Sequence, residues 1–203
     1  MNLAIPNGTQ VPTEPGTQFE GGFYVGRFRL GDKTCLLIVA PKAKGETEGT
    51  WQRITNDVPD CRSFFDGMTN TAALSMVGSP IARWAMQLDI NGFDDWYLPS
   101  RDELELLYRH LKPTAESNYV WRHGDNPSSV PAGYPYTDEL PLQTSVTAFQ
   151  DDGPEAFSAS WYWSSTQYSR SYAWGQYFGG GSQYGNAKSY TGRARAVRRL
   201  VID

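Results

Sequence analysis

The feature that most constrains this chain is the composition of residues 168–191, which are dominated by Tyr, Ser, Gly, Gln and Asn. We call this segment the tyrosine tract. It has few aliphatic side chains and no carboxylate, so it cannot form a hydrophobic core of its own. Framework-like segments flank it, with aromatic residues at 161–163 before it and residues 193–200 after it. The chain must therefore build its core elsewhere and support the tract from that core.

The composition of the tract suits a contact surface. Tyr offers a large, stiff and amphipathic surface and has only two side-chain torsions to fix, while Ser, Gly and Asn add adaptable hydrogen-bonding groups. Antibody combining sites use the same mixture for the same reason. The predicted anchors of the surface are Tyr168, Tyr172, Tyr177, Tyr184 and Tyr190.

An alternative interpretation of the tract is an ordinary Gly/Ser/Tyr-rich loop or a self-aggregating low-complexity segment. Trp174, Phe178 and Lys188 interrupt it at intervals, which favours ordered β structure held by buried aromatic residues. Residues 179–181 are all Gly and predict a tight turn, because only Gly accepts a positive φ freely.

Composition and charge restrict the classes of function. With 203 residues, 39% hydrophobic and 20% charged, the chain is long enough to bury a core as one globular domain. Its net charge of −4 gives no general attraction to nucleic acid. The sequence contains no apolar run of membrane-spanning length, and its N-terminus lacks the features of a secretory signal. We therefore expect a protein made without a signal peptide, either cytoplasmic or associated with a virion.

The chain divides into an N-terminal arm or linker, residues 1–20, and a ligand-binding domain, residues 21–203. The arm is rich in Pro, Gly, Thr and Asn. Residues 23–30 and 33–40 have strand character on either side of a Gly-Asp turn, so they predict a hairpin whose apolar second strand is central in its sheet. Residues 41–49 predict a charged loop.

Two main helices are predicted. Residues 69–88 form the first, and Pro80 either kinks it or begins a new helix. The second has a clear N-terminal signal, because Ser100 followed by Glu103 is a capping box, and it ends before Pro113.

Residues suited to metal or thiol chemistry are few. Cys35 and Cys61 form neither a disulfide framework nor a zinc site. Asp151, Asp152 and Glu155 cluster beside a Gly-Pro turn and offer the hard oxygen ligands that Ca²⁺ prefers. We predict no catalytic residue, no metal and no cofactor, with Ca²⁺ as the open alternative.

Two blocks of sequence carry a family resemblance. GFDDWYLPSRDELELLY at residues 92–108, followed by YWSST at 162–166 and RAVRR at 195–199, resembles the C-terminal domain of collagen-like bacterial adhesins. The resemblance covers roughly residues 20–203. It implies an α+β, C-type-lectin-like fold of the formylglycine-generating-enzyme type, with two main helices, small antiparallel sheets and much irregular loop. Such domains occur in adhesins and in phage or prophage proteins.

The tyrosine tract also resembles the variable region of proteins diversified by retroelements, in which binding residues are exchanged while the fold stays constant. Its fixed positions are Trp163, Ser164, Ser165, Trp174, Phe178, Lys188 and Arg193. The resemblance implies a ligand-binding set of Tyr168, Ser169, Arg170, Ser171, Tyr172, Gly175, Tyr177, Gly179, Gly180, Ser182, Tyr184, Gly185, Asn186, Ser189, Tyr190 and Thr191.

Three functions compete at this point. The first is a non-enzymatic binding protein that recognises a protein or glycan on a cell surface, alone or as part of a phage particle. The second is an adhesin of fixed specificity that holds acidic glycans through Arg193, Arg195, Arg198 and Arg199. The third is an enzyme of the formylglycine-generating type, for which the tract offers no cysteine. The calcium-dependent lectin signatures E-P-N and Q-P-D are also absent. We favour the first.

Overall fold

A computed structural model describes residues 3–4, 10–120 and 125–202, the first pair as backbone only. Helices and two sheets are combined in these residues, which confirms the α+β class. The strands are β1 (Leu3–Ala4), β2 (Gln18–Phe19), β3 (Gly22–Leu30), β4 (Lys33–Val39), β5 (Glu46–Thr50), β6 (Ser129–Val130), β7 (Trp161–Gln167), β8 (Tyr172–Tyr177), β9 (Gln183–Ala187), β10 (Thr191–Arg195) and β11 (Val197–Val201). The helices are α1 (Lys42–Gly45), α2 (Gly67–Met76), α3 (Pro80–Ala85) and α4 (Arg101–Leu111).

The first sheet has the order β1-β11-β4-β3-β2, with β6 also paired to β3. The predicted hairpin is confirmed as β3 and β4, which pair antiparallel from Phe23 opposite Val39 to Leu30 opposite Lys33. As predicted, β4 is central, and its residues from Cys35 to Val39 are fully buried. An apolar strand with neighbours on both sides and packing on both faces explains the unbroken hydrophobic run.

The second sheet has the order β5-β10-β7-β8-β9 and contains most of the tyrosine tract. Its pairs are antiparallel except for β10 with β7. The charged loop predicted for residues 41–49 was wrong, because this segment forms α1 and β5. Glu46 and Glu48 of β5 lie opposite Arg195 and Arg193 of β10. Cross-strand pairs of opposite charge stabilise a strand that its own propensities do not favour.

Both predicted helical regions are present. Pro80 begins a new helix, α3, since the Ser79 side chain caps it by accepting a hydrogen bond from the Ala82 amide. The capping box that begins α4 is confirmed, with Ser100 and Glu103 bonded reciprocally. Irregular chain dominates between α4 and β7, where the described residues form only β6 and one short 3₁₀ turn.

The core supports the second sheet from both faces. Tyr162 and Phe178 pack with α4 and the first sheet in one cluster of buried residues. Trp163, Ala173 and Ala194 pack in another cluster, with residues of α2 and α3. The strands of the tract therefore belong to a sheet that packs against buried residues on both faces.

Strand pairing ties parts of the predicted arm to the first sheet. Residues 3–4 pair with β11 as β1, and residues 18–19 pair with β3 as β2. Residues 5–9 of the arm lie outside the described part of the chain. The division into an arm and a domain remains a prediction.

Candidate ligand-binding surface

The tyrosine tract exposes four of its five predicted anchors. Tyr168, Tyr172, Tyr184 and Tyr190 are 53%, 45%, 66% and 50% exposed, and we call them the tyrosine surface. Tyr177 is half-buried, with its ring centroid 5.7 Å from that of Trp161. Four further predicted positions are exposed: Arg170, Ser171, Ser189 and Thr191. Those of intermediate burial are Ser169, Gly179, Gly180, Ser182 and Asn186.

Buried residues alternate with these exposed ones and hold the tract in place. Phe178 is fully buried, stacks on Phe157 at 4.2 Å and meets Tyr108 of α4 edge-on at 5.5 Å. Ala173 is buried in the cluster that contains Trp163. Ordered β structure of this kind excludes the interpretation of the tract as an unstructured low-complexity loop.

Lys188 stabilises two turns of the tract, the one between β7 and β8 and the one between β9 and β10. Its buried Nζ donates hydrogen bonds of 2.6 Å to the Asn56 carbonyl and to Gln167 Oε1, and lies 4.7 Å from the centroid of a Trp51 ring. Its amide donates to the Ser171 carbonyl at 3.0 Å. Burial lowers the pKa of the Lys188 ammonium to about 8, which shows the cost of holding this charge inside.

The turn between β7 and β8 is ordered by its own hydrogen bonds. The amides of Tyr168 and Ser169 donate to the Tyr172 carbonyl, at 3.0 and 2.9 Å. Ser169 Oγ accepts hydrogen bonds from the amides of Ser171 and Tyr172. Two of the exposed tyrosines are thus held at fixed positions before any ligand binds.

Gly175 and Gly185 differ from the other predicted contact residues because they are buried. A Cβ at Gly175 would lie 2.9 Å from the Tyr162 carbonyl oxygen, and one at Gly185 would lie 2.8 Å from the Tyr168 ring. Their assignment to the ligand-binding set stays a prediction, although the structure buries both. They allow close approach of the neighbouring strand and ring.

One side of the tyrosine surface continues into a cluster that sequence reasoning missed. The Tyr168 ring meets Trp174 edge-on at 4.9 Å, and Trp174 meets Phe64 at 6.2 Å. The Arg101 guanidinium carbon lies 4.9 Å from the Phe64 ring centroid and 5.0 Å from that of Trp174. Phe64 and Arg101 precede the tract by many residues, so no local sequence signal joins them to it.

The C-terminal arginines lie inside the framework and are paired with carboxylates. Arg193 has 31% side-chain exposure, whereas the other three have 4% or less. The shortest bridges are Arg193–Glu48 at 2.8 Å, Arg195–Glu155 at 2.6 Å, Arg198–Asp95 at 2.6 Å and Arg199–Asp66 at 2.7 Å. This arrangement leaves little free charge with which to hold an acidic glycan.

Residues suited to metal or thiol chemistry are not brought together. Across the described ranges, no group of three or more His, Cys, Asp or Glu side chains is placed to hold a metal ion. Glu155, one of the candidate Ca²⁺ ligands, pairs with Arg195 and also accepts a hydrogen bond from the Lys42 amide. Cys35 and Cys61 are both buried and are not joined in a disulfide, and burial raises the pKa of the Cys61 thiol to about 12. Such a thiol forms little of the reactive thiolate at neutral pH.

Comparison with known families agrees with the two sequence blocks. Residues 45–198, well over half of the chain, match the family described as the Lcl C-terminal domain. The chain belongs to the Lcl C-terminal domain family. The family expected from residues 92–108 and from the C-terminal motifs is thereby confirmed, and membership favours an adhesin-like, ligand-binding role. No curated protein matches this Lcl C-terminal domain closely enough to count as a relative. Among the described residues, no helix has the length and apolar character needed to span a bilayer.

Proposed function

We propose that the protein is a non-enzymatic binding protein that recognises its ligand through the tyrosine surface. The observation that carries the proposal is the alternation within one tract. Tyrosines at 168, 172, 184 and 190 are exposed, whereas the intervening Phe178 and Lys188 are buried. Exposed tyrosines in this arrangement contribute nothing to the packing of a hydrophobic core, whereas they suit a contact surface.

Binding energy would come from a few large side chains on a rigid base. Tyr is enriched among the residues that dominate interface energetics, because its ring packs while its hydroxyl hydrogen-bonds. The turn around Ser169 and the bonds made by Lys188 already order the surface. Little conformational entropy then remains to be lost on binding. We propose that no metal or other cofactor takes part.

The more specific part of the proposal concerns the type of protein. We propose a C-type-lectin-like fold whose exposed tract residues are exchanged by a retroelement, in a phage or prophage receptor-binding protein, cytoplasmic or carried on a virion. Support comes from the division of the tract, since nearly all the predicted exchangeable positions are exposed or half-buried. The fixed-specificity alternative, an adhesin for acidic glycans, would depend on arginines that pair with carboxylates inside the framework.

Binding variants test the first part of the proposal. Labelled protein is measured on a panel of intact bacterial cells, and Tyr184→Ser and Tyr190→Ser are compared with wild type on cells that bind. We expect each to lower affinity by about tenfold or more, as for central interface residues. Tyr134→Ser is the matched control, since Tyr134 is 38% exposed and outside the tract. Equal binding by all four proteins would refute the assigned surface.

Sequencing the 3′ end of the gene with its flanks in sibling isolates tests the second part. Diversification predicts substitutions at the tyrosine surface and its exposed neighbours, with Phe178 and Lys188 unchanged. It also predicts an imperfect repeat and a reverse transcriptase gene nearby. A constant tract without a repeat would remove diversification and leave a binding protein of fixed specificity.

A further inference from the structure

A cavity of about 490 Å³ lies beside the tyrosine surface. Its lining residues are Phe64, Arg101, Asp102, Asp125 and Pro127, and we call it the Arg101 pocket. It joins the tyrosine surface through Trp174, which contacts both Arg101 and Tyr168. Its volume falls within the range of sites for small ligands.

Arg101 has hydrogen-bond donors that no described residue uses. Its guanidinium makes one loose ion pair, 3.5 Å from Asp102 Oδ1, and its Nε is buried with no hydrogen-bond partner among the described residues. Arg195 and Arg198, in contrast, donate hydrogen bonds of 2.6 Å to carboxylates. A guanidinium with unused donors at the wall of a cavity is positioned to bind an acceptor on a ligand.

The donors of Arg101 are also held in a fixed direction. Phe64 and Trp174 flank the guanidinium at about 5 Å, with their rings nearly perpendicular to each other. Its side chain is only 19% exposed. Because the side chain is ordered in the free protein, a ligand that binds it need not supply the ordering free energy.

The backbone amides at the start of α4 do not contribute to this pocket. The Arg101 amide donates to Thr166 Oγ1, the Asp102 amide to the Phe64 carbonyl, and the Glu103 amide to Ser100 Oγ. Recognition in the pocket must therefore come from side chains rather than from the end of a helix.

The charges of the pocket disfavour an acidic ligand. One guanidinium faces two carboxylates, those of Asp102 and Asp125. Asp102 is nearly buried and accepts a hydrogen bond of 2.9 Å from Ser128 Oγ, while Asp125 is exposed at the rim. A matching ligand offers hydrogen-bond donors to the carboxylates and acceptors to Arg101, without a net charge. It must also present an apolar face to Phe64, which is 41% exposed.

We propose that the Arg101 pocket binds a neutral sugar ring, such as a hexose unit of a cell-surface glycan. Hydroxyl groups both donate and accept, so one ring can bind Asp125 and Arg101 together, while its C–H groups lie against the electron-rich face of Phe64. A neutral peptide also carries hydrogen-bond donors and acceptors, but it places them along an extended chain rather than around one small ring. The inference rests on the proposed binding function and names the ligand class that this side of the surface takes.

The test uses the full chain and monosaccharide probes. Titration with methyl α-D-mannopyranoside, methyl β-D-galactopyranoside and methyl α-D-glucopyranoside is followed by heteronuclear NMR at the Trp174 indole and the Arg101 Nε–H. We expect at least one neutral glycoside to shift both signals, with a dissociation constant in the millimolar range. Glucuronic acid and a neutral capped tripeptide are titrated as competing ligand classes.

Matched variants assign the binding to the pocket. Arg101→Met keeps the aliphatic stem and removes the donors, and we expect it to weaken binding at least about tenfold. Phe64→Leu removes the aromatic face, and its control Phe65→Leu changes a neighbour that is 44% exposed. Arg83→Met is the control for Arg101, since Arg83 is exposed on α3. If Arg101→Met fails to fold by circular dichroism, the Phe64 and Phe65 pair decides alone.

The inference is overturned if no neutral glycoside binds at tens of millimolar, if glucuronic acid or the tripeptide binds more tightly, or if the Phe65 and Arg83 controls lose binding as well. Each of these results leaves the proposed function standing when Tyr184→Ser still weakens attachment to cells. Failure of both experiments would remove the binding function itself.

Discussion

Gly175 and Gly180 form a matched pair that tests how the tyrosine tract is divided between framework and surface. Both were expected among the exchangeable positions, and neither has a positive φ, so backbone strain does not distinguish them. They differ in the space that a methyl group would enter. A Cβ at Gly175 would lie 2.9 Å from the Tyr162 carbonyl oxygen and 3.1 Å from Asn186 Nδ2. At Gly180 the nearest atom is the Ser117 carbonyl oxygen, at 3.7 Å.

These distances set the expected change in the free energy of unfolding. Overpacking against a backbone atom in a well-packed region costs about 1–3 kcal/mol. Replacing Gly by Ala also restricts the unfolded chain, which returns about 0.4–1 kcal/mol where the native conformation is unstrained. We therefore expect Gly175→Ala to destabilise the protein by about 1–2 kcal/mol. Gly180→Ala should leave stability unchanged or raise it by up to about 1 kcal/mol.

Chemical denaturation of the two variants, followed by tryptophan fluorescence, measures this difference. In thermal unfolding, the melting temperature of Gly175→Ala should lie about 2–8 °C below that of the wild type, because 1 kcal/mol corresponds to about 2–4 °C for a domain of this size. If the two variants unfold within about 0.5 kcal/mol of each other, β7 gives way to the methyl group at little cost. Gly175 would then be as free to change as Gly180, and the steric reasoning would be wrong.

Three further predictions concern the framework. Arg195→Met should lower the free energy of unfolding by about 3–5 kcal/mol in chemical denaturation, because it removes the guanidinium that pairs with the Glu155 carboxylate inside the protein and leaves Glu46 paired with Arg193 alone; a loss below about 1 kcal/mol would contradict this. Burial raises the pKa of Asp102 to about 6 in the folded protein. Between about pH 4 and pH 6 the Asp102 carboxyl therefore keeps its proton in the folded protein and loses it in the unfolded chain, so the free energy of unfolding falls as the pH rises through this range. Between pH 4 and pH 7 the free energy of unfolding of Asp102→Asn should therefore rise by up to about 3 kcal/mol relative to that of the wild type. If the difference between the two proteins does not change with pH, the pKa of Asp102 is not raised. Cys61 should resist iodoacetamide at pH 8 until denaturant is added, since its thiol is buried with a pKa near 12; rapid labelling of the native protein, located by mass spectrometry, would show that the site opens.

Local signals in the sequence predicted the parts of the fold that depend on neighbouring residues. Ser100 and Glu103 form their capping box because both partners lie within one turn of helix. The turn after Leu30 closes a hairpin because Gly31 accepts a positive φ of 64°. The composition of the tyrosine tract also predicted a contact surface rather than a core.

Prediction was weaker wherever a distant segment decides what a residue contacts. The segment that contains Glu46 and Glu48 was predicted to be a charged loop. It forms a strand because Arg193 of β10 pairs with both glutamates across the sheet. Gly175 was predicted as a ligand-binding position, and the structure buries it because β7 passes close to it. The C-terminal arginines could have faced either solvent or carboxylates, and the sequence held no information on which.

The sequence by itself determined that this protein carries a tyrosine-rich surface on an α+β framework, because helix caps, turns and side-chain composition act over a few neighbouring residues. Tertiary structure alone decided which tract residues reach solvent, and it brought Phe64 and Arg101 together beside Trp174. Exposure and the pairing of charges depend on which segments pack against a residue. That packing is fixed only when the two sheets and the helices close around their shared core.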